Sequence, residues 1–565
     1  ILNGDAITDY GNGAFATQYA ADTVATIDAA DRLIKIEPKF WVTTTADTTE
    51  FEFTMSARGT FQINWGDGTY DVIKRTDTTE EVYSHTYNAP GVRIIGIGGK
   101  VAEYNDNDDV VAAISFAENK NVSGIAGDLG AVFATVGDSQ PRFYQTFYNC
   151  KNLTGGIPAG LFAGLAGAPT GRMFQDTFYG CVGLSGGIPG TLFSGIQGAP
   201  AKWMFEGTFS GCSGLSGEIP VTLFSGIRGR PAVGVFFETF SGCSGLSGSI
   251  PANLFAEIRG VPANHMFNST FSGCTNIGGE IPETLFAGIS GRPAEFMFRG
   301  TFSNTGVSGE IPHKLFVGIS GNPSPYMFTG TFSKCKNLTG AIPATLFSGI
   351  AGAPAEYMFS STFANSGVTG QIPENLFAGV QGAPARWMFF ETFKDCTGLT
   401  GSIPATLFSG ISGAPAAVMF SWTFYGCSGL TGSIPPNLFA GISGAPAASM
   451  FWGTFQDCAG LTGEIPANLF AGISGAPAVG MFNETFYNCA SLTGAIPKKL
   501  FAGISGAAQE NMFLYTFGMC AGLTQCLPDN LFAGITDMDI NQIINTYQPF
   551  YATRITAEAP MCSML

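Results

Sequence analysis

The dipeptide Ile-Pro, once Leu-Pro, falls at positions 157, 188, 219, 250, 281, 311, 342, 372, 403, 434, 465, 496 and 527, thirteen copies at intervals of 31 residues apart from two intervals of 30. Such a period constrains a fold more tightly than composition does. A unit of this length cannot bury its apolar face alone, so the copies must stack, each against its neighbours, as a solenoid. A degenerate first unit starts near Asn121, where NVSGIAGDLGAVF echoes NLTGGIPAGLF.

One unit reads as three pieces. In GLTGSIP, Leu430, Gly432 and Ile434 alternate with Thr431 and Ser433, the two-residue period of a short strand, and Pro435 stops it. Leu438, Phe439 and Ile442 suit one helical turn closing at Gly444. Beyond it Pro446 is tolerated in a first helical turn, and Phe451, Phe455 and Cys458 then fall at i, i+4 and i+7, one face of an α-helix. The expected unit is strand, short helical turn, longer helix. Strands about 4.8 Å apart and helices about 8–10 Å apart would curve the array, with strands on the inner side.

The unit TFYGCSGLTGSIP resembles the leucine-rich repeats of the BspA-like family of bacterial surface proteins, whose units run AF-x-x-C-x-x-L-x-x-I-x-I-P. The resemblance covers about residues 121–535, with a GISGAPA insertion in this chain, and implies an α/β leucine-rich-repeat solenoid of about 13 units with a period of 31. Ahead of it, FEFTMSARGTFQINW alternates apolar residues and meets turn signals, as an antiparallel sandwich requires. WGDGT (65–69), with SHTY and PG (84–91), resembles the polycystic-kidney-disease-type (PKD-like) Ig-fold domain over about 39–104. That resemblance implies Trp65 and Tyr87 in the core and a hairpin turn at Gly66, Asp67 and Gly68. The expected organisation is an N-terminal arm (1–38), an Ig-like β-sandwich (39–104), an acidic junction (105–120), the solenoid (121–535) and a C-terminal cap (536–565). In the cap, Asp537 can start a helix with Ile540, Ile543, Ile544 and Tyr547 on one side, followed by an FYATRITA edge strand.

The formal net charge is −16, only 12% of residues are charged and there is no Lys/Arg run, so the footprint of a nucleic-acid binder is missing. No apolar run approaches the roughly 18 residues that cross a bilayer. The chain begins at Ile1, as expected of a processed form or a fragment. His85, His265 and His313 stand in three different contexts, and no P-loop, HExxH or GxSxG occurs, so no enzyme activity, cofactor or metal site is expected. NDNDD (105–109) reads as acidic linker in preference to a calcium loop, because the sixth-position Gly and twelfth-position Glu are missing. Eleven of the 13 cysteines share one repeat position and read as small packed groups. A redox or metal ladder is the alternative, without the C-x-x-C spacing that would favour it. Outside that column, Cys526 and Cys562 are expected to form a disulfide that staples the tail.

What varies is the flank of the Met-Phe pair. Trp203, Phe296, Tyr326, Tyr357 and Trp387 precede it, as does His265; Phe237, Phe390 and Trp452 follow it, with Trp422 and Tyr515 one place further on. In register from unit to unit these form a stripe that is either an interaction surface or packing between units. The expected protein is a secreted or cell-surface, non-enzymatic interaction protein acting in adhesion or recognition, its partner a protein or glycan at a cell surface. The alternative is a structural subunit that assembles with copies of itself into an extracellular filament, sheath or layer.

Overall fold

A computed structural model describes residues 7–9, 14–17, 24–27, 33–106, 110–523, 530–553 and 555. The chain falls into two compact units, residues 1–258 with 273–277, and residues 259–272 with 278–565.

The first unit opens with four short strands, β1 (Ile7–Asp9), β2 (Ala14–Thr17), β3 (Val24–Ile27) and β4 (Leu33–Ile36), paired antiparallel in chain order. Next come β5 (Phe40–Thr44), β6 (Glu50–Met55), β7 (Arg58–Asn64), β8 (Tyr70–Arg75), β9 (Glu81–Thr86), β10 (Ile94–Glu103), β11 (Ile114–Ser115) and β12 (Val122–Gly127). They form two antiparallel sheets, β12-β5-β10-β7-β8 and β11-β6-β9, an arrangement that fits a β-sandwich. Strand alternation turns Phe40, Val42, Phe51, Phe53, Phe61 and Ile63 inward, all of them buried. WGDGT joins β7 to β8, with Gly66 and Gly68 at φ of 80° and 92°, a backbone that glycine adopts without strain. Trp65 and Tyr87 are buried, and the Tyr87 hydroxyl donates to the Trp65 carbonyl at 2.9 Å.

Residues 113–118, within the expected junction, carry hydrogen bonds on both sides. β11 pairs with β6, while the Ala113, Phe116 and Glu118 amides donate to the carbonyls of Arg142, Thr146 and Tyr148. Phe116 stacks on Phe147 at 5.6 Å, so apolar packing runs from the sandwich into the first coil.

Beyond it, within each unit taken by itself, successive segments of about 31 residues, here called coils, are joined by backbone hydrogen bonds. In the second unit two columns of parallel bridges recur, for example Gly401↔Leu430 and Gly432↔Leu461 in one, Gly413↔Ile442 and Gly444↔Ile473 in the other. The expected strand is thus reduced to single bridges. The Leu-Phe segment is a run of three-residue turns, in which the Leu438, Ala440 and Ile442 amides donate to the Pro435, Asn437 and Phe439 carbonyls.

The longer α-helix of each unit does not form. Among the described residues the α-helices are α1 (Leu129–Val132) and α2 (Ile540–Tyr547). Across 449–458 the amides alternate in direction. Those of Ser449, Phe451, Gly453, Phe455 and Asp457 donate to the next coil, and those between them fold back three residues. Every fourth residue is left-handed: Ser449, Gly453 and Asp457 have φ of 50°, 56° and 60°. The physical reason is spacing. Bridged backbones lie about 4.8 Å apart, whereas a helix needs about 8–10 Å from its neighbour and uses its amides internally. A ribbon of turns sends half its amides sideways and stacks its phenylalanines closely, Phe424 on Phe455 at 5.8 Å and Phe455 on Phe486 at 5.6 Å. The mismatch between strand and helix spacing therefore does not arise. Burial repeats every four residues, with Met450, Phe451, Thr454, Phe455 and Cys458 all inaccessible.

At the C-terminus α2 is capped by Asp539, not Asp537, through a capping box with Gln542. Asp537 instead accepts the Ala508 amide at 2.7 Å. Ile543 and Tyr547 are buried, Ile540 and Ile544 half-buried. The segment after it is not an edge strand over its described part. Its carbonyls at Tyr547, Pro549 and Tyr551 accept the Tyr515, Phe517 and Met519 amides, while the Tyr551 and Thr553 amides fold back on Gln548 and Phe550. Cys526 and Cys562 lie outside the described residues, as does NDNDD beyond Asn105 and Asp106.

Candidate interaction surface

The recurring columns of the ribbon are occupied by groups that satisfy the interior. The Phe424 carbonyl accepts the Cys427 amide at 3.0 Å and the thiol of Cys458, one coil on, at 3.0 Å. Thr454 donates likewise to Phe420 and Phe451. Burial pushes the Cys212 and Cys274 thiols up to about 12. Thr305 and Ser366 stand at the cysteine position of the two shortened coils, and the Thr305 hydroxyl donates to Phe302 at 2.7 Å. A small buried donor is what the position takes, thiol or hydroxyl, which supports the reading of the cysteines as packed groups.

The histidines remain apart. His85 stacks on Trp65 at 5.0 Å and its Nε2 lies 2.8 Å from Asp67. Partial burial opposes ionisation of Asp67, but the Thr69 hydroxyl and amide and His85 outweigh it and bring the carboxyl down to about 2. His265 stacks on Phe296, and His313 sits beside Glu283 at 3.2 Å. Among the described residues no His/Cys/Asp/Glu group is arranged to hold a metal ion.

The stripe residues are all half-buried. In the second unit the rings run without a break: His265 to Phe296 at 4.5 Å, Phe296 to Tyr326 at 4.4 Å, Tyr326 to Tyr357 at 4.5 Å and Tyr357 to Trp387 at 5.4 Å, with planes 6–12° apart. Trp387 then meets Phe390 at 4.8 Å, Phe390 meets Trp422 at 5.5 Å and Trp422 meets Trp452 at 4.6 Å, now tilted by 45–75°. In the first unit Trp203 meets Phe237 at 6.2 Å, and near the C-terminus Tyr515 meets Tyr551 at 5.0 Å. Phe296, Tyr326, Tyr357 and Trp387 occupy left-handed positions, φ 55–61°. An L-residue gives up roughly 1–2 kcal/mol there, and glycine does not; the equivalent sites in two other coils carry Gly234 and Gly480.

Carboxylates gather where the rings tilt. Lys394 donates to Glu391 at 2.6 Å and lies over Trp422 at 4.9 Å and Tyr425 at 5.3 Å. Burial, Asp457 and Glu391 hold the Asp395 carboxyl above the usual range against the pull of Lys394. Trp452 donates through its indole to Glu484 at 3.0 Å, and Asn488 to Asp457 at 2.7 Å. Sequence reasoning did not single out this cluster. Its signal was the ribbon period, which puts Glu391 and Asp395, four apart, on one edge.

No protein-family model matches the chain, and neither does any curated protein or solved structure.

Proposed function

We propose that the chain is a secreted or cell-surface, non-enzymatic interaction protein of the BspA-like type, of bacterial origin, that recognises a protein partner. In this reading a leucine-rich-repeat solenoid follows a PKD-like sandwich, which caps its first coil in the way open arrays need. The observation that carries it is the unbroken run of eight half-buried rings from His265 to Trp452. Several stand where glycine would be less strained. Stacking returns about 0.5–1.5 kcal/mol per pair, which offsets the strain and leaves the outer ring edges as a rigid apolar ridge. A glycan platform presents ring faces, and from His265 to Trp387 the faces cover one another. A protein surface is therefore the partner this ridge fits best.

One observation favours the structural alternative. Among the described residues nothing accepts the Phe550 and Ala552 amides, the last described ones of that segment that do not fold back. An open rung can pair with another copy and extend a filament. Size-exclusion chromatography with negative-stain imaging separates the two. Dispersed monomers are expected; ordered end-to-end assemblies would replace recognition by self-assembly as the function.

A further inference from the structure

We infer that the tilted part of the ring run, around Trp422, Tyr425 and Trp452, is a docking surface for a lysine- or arginine-bearing segment of another protein. The inference rests on the reading of the stripe as an interface and names the chemistry of its partner. A cation is attracted to the face of an aromatic ring, within about 6 Å of its centre. Between His265 and Trp387 the rings are nearly parallel, so their faces are occupied by each other. Beyond Trp387 the planes turn by 45–75°, so successive rings no longer lie face to face.

The charge there is complementary to a cation. Among the described residues Glu391, Asp395, Asp457 and Glu484 are answered by one ammonium group, that of Lys394. Among the described residues Asp457 and Glu484 have no basic partner; they hold Asn488 and the Trp452 indole. Burial, and after it the charges of Asp457, Asp395 and Glu484, raise the pKa of the Tyr425 phenol. Lys394 shows the mode of binding within the chain itself, an ammonium group over Trp422 and Tyr425 with a carboxylate at 2.6 Å. At the same ribbon position the next three coils carry Tyr425, Gln456 and Tyr487, so the carboxylates beside Trp452 are left for an incoming cation.

The test is titration of the full chain with a deca-lysine peptide, followed by tryptophan fluorescence. Asp457→Asn with Glu484→Gln should weaken binding at least tenfold. The control Glu50→Gln with Glu52→Gln removes the same charge from exposed positions on β6 and should change it less than threefold. Equal weakening by both pairs would reduce the effect to the general attraction of an acidic chain and overturn the inference, as would no binding by the unaltered protein. If the first pair fails to fold, Lys394→Met serves instead. Removing the internal competitor should tighten binding several-fold more than Lys499→Met does, and an equal effect would again overturn the inference. Loss of surface adhesion on changing Tyr357 and Trp387 tests the stripe itself, so either reading can fail without the other.

Discussion

Raising the pH above about 9 is expected to unfold the coils steeply. Eleven described cysteines are buried and free, and burial lifts their thiols from an ordinary value of 9.0 to about 11 for Cys335 and about 12 for Cys150, Cys396 and Cys520. A thiol with its folded pKa raised keeps its full contribution below the unfolded pKa and loses it as pH climbs towards the folded one. In that window the unfolded chain releases protons that the folded chain retains, and each thiol removes roughly 1.4 kcal/mol of stability per pH unit. Three coils opening together would lose about 4 kcal/mol for each unit, a large part of any domain's stability. Tyr87, raised by burial to about 12, acts in the same direction. Circular dichroism from pH 8 to 12 should show a cooperative loss. Changing Cys396, Cys427 and Cys458 to serine, the residue already present at position 366, should move it to higher pH. A fold that ionises its thiols without unfolding would contradict their burial.

Phe389→Ala should be among the most damaging single substitutions in its coil, lowering stability by about 3–5 kcal/mol. The ring is fully buried, stacks on Phe359 at 5.8 Å and Phe420 at 5.7 Å, and meets Phe377 and Phe408 at 4.8 Å each. Its loss removes four aromatic contacts and leaves a cavity that bridged backbones cannot close. Phe390→Ala, one residue on but half-buried, should cost about 1 kcal/mol. Chemical denaturation of the two variants checks the contrast, and near-equal losses would show that Phe389 is not at the centre of the ribbon.

Much of the fold can be read before any coordinates, because the same residues recur at the same places. Among the described residues the Leu, Ile, Met-Phe, Thr-Phe and Cys positions of the repeat are buried, and so are Trp65 and Tyr87 of the sandwich. The helix at 540–547 forms, two residues of cap reasoning aside. The expected ribbon helix fails for a specific reason. Phe451, Phe455 and Cys458 fit a period of 3.6, but Met450-Phe451, Thr454-Phe455 and Cys458 repeat every four, and a helix would rotate such pairs by about 40° at each step. Gly, Asn, Asp and Ser recur at the fourth positions between them, which points to left-handed turns. The candidate surface was legible only as a column of aromatics. Which rings would stack and which would tilt depends on side-chain packing between coils, and no spacing along the chain carries that.

The central claim is that the aromatic stripe meets a partner and does more than fill space between coils. It is tested most directly by combining Tyr357→Ala with Trp387→Ala and measuring both adhesion of the labelled full chain to intact cell surfaces and its melting temperature. The account predicts at least about 30-fold weaker adhesion, the effect of losing a hot spot worth about 2 kcal/mol, with melting lowered by no more than a few degrees and adhesion abolished on protease-treated surfaces. Unchanged adhesion with a large fall in melting temperature would make the rings ordinary packing and contradict it.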